Sequence, residues 1–293
     1  MELEISAGAG IEAELRTLHA HAQQRALTEH ILALADQAGY GAALIDAVAL
    51  GHAEAAVITW PQFAHMVRAA ARGLSRRGLQ QGDTAGIFVG DAISHAVAVH
   101  AVRAAGAMAA AVRPTRSAAD IAAQLKQGQA RLLITSAGLA DLAIQAAERS
   151  WVRQVFAFGE AEGTTPFDSL VQTPRHGQPQ AGDTTSHDDG LIPEQILDLA
   201  ELGLEAERVA PQLIRRPVPR LTCRDVVVAA PPCGDPEAYT SLLDLALAAG
   251  ATVVAAPLAQ ITAAVGVYKG TAAIVPRGTD VPGLPAGRIL AVG

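Results

Sequence analysis

The sequence predicts an α/β protein built on doubly wound, mostly parallel sheets with flanking helices. Three observations lead to this prediction. Strand-like and helix-like segments alternate along the chain, about two to six residues connect them, and the alternation resumes after a polar interruption. Strands that alternate with helices over such short connections pair in parallel and place helices on both faces of the sheet.

The first forty residues are predicted to be helical, since apolar side chains recur there at helical spacing and Thr28 is a candidate helix cap. Two short strands, Ala43–Asp46 and Ala56–Thr59, follow around a turn at Gly51. A helix is then expected over Pro61–Arg77, because proline suits the first turn of a helix.

Alternation begins at residue 85 and favours one parallel sheet. The predicted elements are strand Ala85–Val89, helix Ala92–Ala105, strand Ala107–Val112, helix Ser117–Gln127, strand Arg131–Thr135, helix Leu139–Arg149 and strand Val152–Phe158. A polar stretch, residues 159–190, is interpreted as surface loop in which only Phe167, Leu170 and Val171 are anchored. A helix over Glu194–Ala210 follows it.

The last part of the chain resumes the pattern. Its predicted elements are strand Asp225–Ala230, helix Glu237–Ala249, strand Thr252–Ala256, a short helix near Ile261, and strands Ala272–Val275 and Arg288–Val292. We therefore divide the chain into a first α/β subdomain (1–175), a linker loop plus helix (176–220) and a partial second subdomain (221–293). No element follows the last strand to cover its face, so we expect self-association or a partner enzyme there.

Charge and cysteine content exclude several functions. The net charge of −7 argues against a nucleic-acid partner, and the densest basic stretch, residues 215–220, is interrupted by prolines. No stretch of about eighteen apolar residues predicts a membrane span, and the acidic start, Met1–Glu4, is unlike a signal peptide. Cys223 and Cys233 are too few for a disulfide framework or a zinc site. We expect a cytoplasmic protein without a metal.

Seven segments share a pattern with one enzyme family. They are Thr59–Phe63 at a helix entry, Gly78–Ile87 with a glycine–aspartate turn before a strand, Arg103–Ala107 at a helix end, Ala130–Thr135, Leu221–Val227, Gly250–Val254 and Arg288–Gly293. Their order and spacing resemble the N-terminal part of the adenylate-forming enzymes, the superfamily of acyl-CoA synthetases and AMP-binding adenylation domains. The resemblance implies a truncated member with two stacked sheet subdomains, incomplete at the C-terminus.

Departures from that family concern the ATP site. ATP-dependent activation of a carboxylate places negative charge on the α-phosphate, which requires cations and preorganised donors. The resemblance implies a Ser/Thr/Gly-rich loop ending in proline–lysine–glycine just after Asp188–Asp189, but Gly190–Pro193 runs directly into the helix at Glu194. Neither lysine of the chain, Lys126 or Lys269, lies where a family lysine belongs. The family's later adenine, metal and ribose motifs and its C-terminal catalytic domain are also missing, so no ATP or magnesium cofactor is expected.

One segment superficially copies part of the phosphate loop. Gly163–Pro166 contains the glycine, threonines and proline, but it lies upstream of the expected place. Glu160 and Glu162 precede it and no lysine follows. Because an acidic approach repels phosphate, we interpret this segment as a surface loop.

Candidate catalytic residues follow a predicted strand, where open α/β sheets place ligands. They are Cys233 and Asp235 in the turn Pro231–Asp235, and Tyr239 shortly after it. The resemblance implies that this turn carries an aromatic–histidine pair beside the acyl pocket. This sequence has other residues in place of that pair. The charge of Asp235 would raise the pKa of the Cys233 thiol, whereas a helix N-terminus would lower it.

The spacing of the histidines on the predicted helix Ala92–Ala105 does not suit a pair of metal ligands. His95 and His100 lie five residues apart on one predicted helix, which directs them to different faces, so both are predicted to be core or surface histidines.

The leading hypothesis is a degenerate acyl-CoA synthetase-like protein that lacks the phosphate loop and serves as a binding or accessory protein, with a small acyl or carboxylate ligand. A second is that the fold has been recruited to a different reaction on a small acyl or aromatic substrate in a biosynthetic pathway, using Cys233, Asp235 and Tyr239. A third is half of a split adenylating ligase, and a fourth is a decaying gene product. A homo-oligomer or a partner enzyme is expected.

Overall fold

A computed structural model describes residues 23–47, 56–172 and 219–293 of the chain. Within these ranges the chain forms two sheets flanked by helices, which confirms the predicted α/β class. The predicted turn at Gly51, the region that follows Asp188–Asp189 and the helix over Glu194–Ala210 lie outside the described residues.

The elements follow the predicted alternation, with ends shifted by a few residues. In chain order they are α1 (residues 23–37), β1 (Ala42–Asp46), β2 (Ala56–Thr59), α2 (Trp60–Arg76), β3 (Thr84–Phe88), α3 (Ala92–Ala104), β4 (Met108–Ala111), α4 (Ala118–Gln127), β5 (Ala130–Ser136), α5 (Ala140–Ala147), β6 (Gln154–Phe158), β7 (Thr165–Pro166) and α6 (Asp168–Val171). They continue with β8 (Val226–Ala229), α7 (Pro236–Ala248), β9 (Thr252–Ala255), α8 (Ile261–Tyr268), β10 (Ala272–Pro276) and β11 (Ile289–Val292).

The first sheet has five parallel strands in the order β4-β3-β5-β6-β7. Side chains of α4 and α5 pack on one face, around Ile121 and Leu133. Side chains of α2 and α3 pack on the other, around Phe63 and Ile134. Helices on both faces make this sheet doubly wound, as predicted. In such a sheet, ligands bind beyond the carboxyl ends of the strands.

The second sheet has six strands in the order β11-β10-β8-β9-β1-β2, all parallel except for the antiparallel pair β1–β2. Strand β1 pairs with β9, and the Thr252 hydroxyl donates to the Ala42 carbonyl at 2.8 Å. Residues 42–59 therefore join the sheet formed by residues 226–292, and the sheets do not follow the predicted division at residue 175. Alternation along the chain predicts which segments are strands, but not which distant strand each will pair with.

Helix starts depend on side-chain caps. Thr59 caps α2 in a capping box with Gln62, and Pro61 occupies the first turn as predicted. The predicted cap at Thr28 is wrong, since residues 23–37 form one helix through it. The Thr28 side chain is fully buried, and its hydroxyl lies 3.0 Å from Nδ1 of His100.

Strand β11 is better covered than the sequence predicts. Leu290 and Val292 are buried in the main core below α7, while Ile289 and Ala291 on the opposite face are half-buried. The expectation that the last strand lacks cover from its own chain is therefore wrong for the face toward α7. A helix earlier in the sequence supplies that cover, which chain order did not reveal.

The polar interruption is anchored where predicted. Phe167 and Leu170 are each 1% exposed, and the Phe167 ring stacks on Phe158 at 4.0 Å between centroids. Helix α6 approaches α2 so closely that a Cβ added to Gly73 would collide with the backbone of Leu170. Only a glycine at position 73 permits this approach.

Replacing Gly73 by alanine is expected to lower the free energy of unfolding by about 1–3 kcal/mol, because overpacking forces one of the two helices to shift. This loss outweighs the gain of roughly 1 kcal/mol in helix propensity. Urea denaturation measures the difference. Gly138→Ala is the matched control, since a Cβ there meets nothing within 4 Å and stability should change little.

Candidate functional site

The carboxyl end of β8 leads into a tight turn before α7. The Tyr239 hydroxyl donates to the Ala230 carbonyl at 2.6 Å, which ties the helix back to the strand end. Gly234 has φ of +61°, and a Cβ there would lie about 3 Å from the backbone of Val292 and Gly293. Left-handed backbone and close approach together require glycine at this turn.

Asp235 serves as the N-cap of α7. Its carboxylate accepts hydrogen bonds from the backbone N–H groups of Glu237 at 3.0 Å and Ala238 at 3.5 Å. A cap of this kind satisfies backbone donors that have no partner within the helix. Both bonds go to the same oxygen, Oδ1, so capping engages one half of the carboxylate and fixes its position at the start of the helix.

Cys233 and Tyr239 lie in a poorly hydrated setting. Cys233 is half-buried, and burial raises the pKa of its thiol. Tyr239 is fully buried, and its pKa is raised well above the ordinary value, first by burial and then by the negative charges of Cys233 and Asp91. Both groups are therefore protonated at neutral pH, which makes Cys233 a poor nucleophile.

The structure brings the three predicted candidates together and adds one neighbour. Asp91, just after β3, lies close enough to raise the pKa of Tyr239. It also caps α3, accepting from the Ser94 backbone N–H at 2.7 Å. The strand ends of β3 and β8, one from each sheet, are thus neighbours, and we refer to the region between them as the candidate cleft. Among the described residues no group of three histidine, cysteine, aspartate or glutamate side chains could hold a metal ion.

The segment Gly163–Pro166 does not fit a nucleotide phosphate. The Thr164 hydroxyl donates to the Ala161 carbonyl at 2.8 Å, and Thr165 belongs to edge strand β7. Glu160 and Glu162 are exposed beside it. Gly163 and Thr164, with the threonine hydroxyl engaged and two carboxylates at the approach, form a surface turn as the sequence predicts, whereas Thr165 and Pro166 form strand β7 and not loop.

A buried polar network lies behind the cleft, between α3 and α7. Arg103 donates to Asp244 at 2.8 Å, and both residues are 4% exposed. The second oxygen of Asp244 has no hydrogen-bond partner in the part of the chain that the structure describes, and His100 Nε2 lies 3.5 Å from it. This pair joins a helix of the first sheet to a helix of the second.

Both histidines of α3 belong to the same network. His95 Nε2 lies 2.8 Å from the Thr240 hydroxyl, and its ring meets Tyr239 edge-on. His95 and His100 are core histidines that face different neighbours, as predicted: His95 contacts α7, whereas His100 Nδ1 lies near Thr28 of α1 and its ring meets Phe63 of α2 edge-on. The two rings share a neighbour only through His100 Nε2, which lies 3.5 Å from Asp244 on α7. Burial lowers the pKa of each to about 4, outweighing the attraction of Asp244, while Arg103 lowers it further.

Sequence reasoning missed this network because its partners are far apart in the chain. Arg103 and Asp244 are 141 positions apart. The sequence around each partner nevertheless indicated a buried charge. Asp244 interrupts an apolar run in α7, and Arg103 follows an apolar run near the end of α3. A charged residue within an apolar run of a helix indicates a buried partner of opposite charge.

Comparisons with known proteins agree with this architecture. The family model of the AMP-binding enzymes matches residues 37–192, just over half of the chain. The structure of a benzoate CoA ligase from Burkholderia xenovorans LB400 is similar with a TM-score of 0.61 and 20% identity, over 90% of this chain and 54% of that one. A long-chain-fatty-acid-CoA ligase from Archaeoglobus fulgidus gives 0.60 and 19%, over 85% and 51%.

At these identities the structural likeness shows the fold alone. The chain spans about half the length of most of these solved structures. None of the curated proteins matches the sequence. Among the helices of the described ranges, none has the length and apolar character needed to cross a membrane.

Proposed function

Because the chain belongs to the AMP-binding enzyme family, we propose that it retains a carboxylate-binding cleft of that family without autonomous ATP-dependent ligase activity, and that it acts as a binding or accessory protein. One observation carries the proposal: the polar side chains at the carboxyl end of β8 are committed to the fold. Tyr239 is hydrogen-bonded to Ala230, and Asp235 caps α7. A third, the Cys233 thiol, is half-buried with a raised pKa.

The missing phosphate loop supports the same conclusion at the level of sequence. Gly190–Pro193 stands where a loop ending in proline–lysine–glycine is expected, and neither lysine of the chain follows it at that position. Charge developing on a transferred phosphoryl group needs cations and aligned donors. Three acidic residues, Asp91, Asp235 and Glu237, lie close to the strand ends, and Arg277, directly after β10, adds one cation there.

The ligand class follows from the relatives and from the cleft. The similar structures include a benzoate CoA ligase and a long-chain-fatty-acid-CoA ligase, and we carry over only what those names share, a carboxylic acid with an apolar body. Apolar side chains line the core behind the strand ends, among them Val228 and Leu290. A small acyl or aromatic acid is therefore the proposed ligand.

The recruited-enzyme alternative draws on the same turn. Cys233, Asp235 and Tyr239 do lie together after β8, but within the described ranges none of them is paired with a base that could activate it. Nucleophilic catalysis by cysteine needs a thiolate, usually beside a cation or a histidine. The geometry supports binding more directly than it supports this chemistry.

Pyrophosphate exchange with ATP and a panel of carboxylic acids, benzoate and palmitate included, tests the proposal. We expect exchange at background, together with saturable binding of at least one acid in equilibrium dialysis. Exchange at an enzyme-like rate of about 1 s⁻¹ or more would overturn the absence of ligase activity. Failure of every acid to bind would overturn the retained cleft.

Cys233→Ser and Cys223→Ser form the matched pair for the alternative. Cys223 is exposed and Cys233 is half-buried beside the cleft. A hydrolytic or transfer activity lost in Cys233→Ser but kept in Cys223→Ser would establish the recruited enzyme in place of the binding protein.

A further inference from the structure

A groove of about 580 Å³ lies at the opposite end of α3 from the cleft. Leu32 on α1, Ala71 on α2 and Ala104 at the end of α3 contribute apolar side chains to it. Leu32 and Ala71 are buried, and the groove is open to solvent along the two helices. Its size falls within the range of binding pockets, and it lies between packed helices, where an added helix can dock.

Arginines form one wall of this groove. Arg68, Arg72 and Arg76 follow one another at intervals of four residues and therefore share a face of α2. No aspartate or glutamate occurs between Trp60 and Arg76. The groove thus carries concentrated positive charge on a chain whose net charge is −7.

Only one of the three arginines is neutralised locally. Arg68 donates two hydrogen bonds to the carboxylate of Asp36, at 2.8 and 2.6 Å. Arg72 and Arg76 are exposed, and across residues 23–47, 56–172 and 219–293 neither forms an ion pair. Like charges one helical turn apart destabilise a helix by a few tenths of a kcal/mol, so the fold gains nothing from this pair.

The opposite wall restricts what can bind. Glu29 lines it, but its carboxylate is paired with Arg25 at 2.9 Å. A fitting occupant therefore places anionic groups beside α2 and apolar groups on the floor of the groove. Acidic residues four apart in a helix have the same spacing between their Cβ atoms as Arg72 and Arg76.

We propose that this groove docks an acidic amphipathic helix of a partner protein. Its carboxylates, one turn apart, pair with Arg72 and Arg76, and its apolar face covers Leu32, Ala71 and Ala104. The pairing is the arginine–carboxylate contact that proteins use for oriented recognition. Association driven by such charges weakens as salt screens them.

The probe is a synthetic amphipathic helix of about 16 residues, with leucines on one face and glutamates four apart beside them. Fluorescence anisotropy with the full chain is expected to show saturable binding that weakens between about 50 and 200 mM salt. Arg72→Glu/Arg76→Glu should weaken it by about tenfold or more, and Arg72→Gln/Arg76→Gln by less. Arg149→Glu/Arg153→Glu, the same charge change at exposed arginines elsewhere, should leave it within about twofold.

Five outcomes would overturn the proposal. The glutamate peptide does not bind, or it binds the Arg72/Arg76 variants as well as it binds the original chain while their circular dichroism spectra show intact folding. A control peptide with lysines in place of the glutamates binds equally well, which would mean that the groove recognises only the apolar face of the helix. Free glutarate displaces the peptide at equal concentration, which would indicate a small-anion site. Sedimentation shows a dimer of the chain that these variants dissociate, which would make a second copy the occupant.

Discussion

Replacing Asp244 by alanine is expected to lower the free energy of unfolding by about 3–5 kcal/mol, the loss typical of removing one partner from a buried ion pair. Arg103, 4% exposed between α3 and α7, would keep its charge and lose the one carboxylate that pairs with it among the described residues. Its Nε already has no hydrogen-bond partner among the described residues. Urea denaturation at neutral pH measures the loss.

Asp36→Ala is the matched control. Asp36 also pairs with an arginine, Arg68, but their side chains are 54% and 41% exposed. Exposed pairs contribute about 0.2–1 kcal/mol, so the two alanine substitutions should differ severalfold. Removing both charges, in Arg103→Met/Asp244→Leu, should recover much of the loss, because no uncompensated charge then remains buried. Equal losses for Asp244→Ala and Asp36→Ala would contradict this account.

Acidification is expected to destabilise the protein between pH 6.5 and about pH 4 through His95 and His100. The pKa of each is lowered from 6.5 to about 4 in the folded state, primarily by burial. Between these two values the unfolded chain binds protons that the folded chain does not, so stability is intact above pH 6.5 and falls with pH. At 1.36 kcal/mol per pKa unit, each histidine accounts for about 3 kcal/mol.

Denaturation series at half-unit pH intervals measure this slope. His95→Gln and His100→Gln should each flatten it by about half, even where they lower stability at pH 7, because the slope reports proton uptake rather than packing. His65→Gln is the control, since His65 is exposed on α2. His30 is half-buried and its pKa is also lowered. A smaller dependence of stability on pH will therefore persist in a variant that carries both His95→Gln and His100→Gln. A slope unchanged in both single variants would contradict the assignment.

Local pattern was sufficient to predict most of the fold. Each strand from β3 to β6 was predictable because an apolar run between helix-periodic segments has few alternatives. The pairing of β1 with β9 was not, because it joins Leu44 to Val253, and no local property of either residue indicates the other. The observed ends of helices differ from the predicted ends where a capping side chain determines the first residue of the helix, as Thr59 does for α2.

The candidate site was predictable in position and not in chemistry. The rule that ligands bind at strand ends located Cys233, Asp235 and Tyr239 correctly in one turn. Their hydrogen bonds to Ala230 and to the start of α7 depend on backbone geometry that residue identity does not reveal. The network of Arg103, Asp244 and the two histidines depends on how the two sheets meet, which only the folded chain determines.

The pairing of β1 with β9 also constrains how this protein is made. The Ala42–Thr252 hydrogen bond spans 210 positions, so the first strand of the chain cannot enter its sheet until the ninth has been synthesised. At about 5–20 residues per second, that interval is roughly 10–40 s. During this time the apolar β1 hairpin emerges on the ribosome without a partner. The strands of the five-stranded sheet all lie within residues 84–166, so that sheet has its complete set of strands before β8 and β9 have been synthesised.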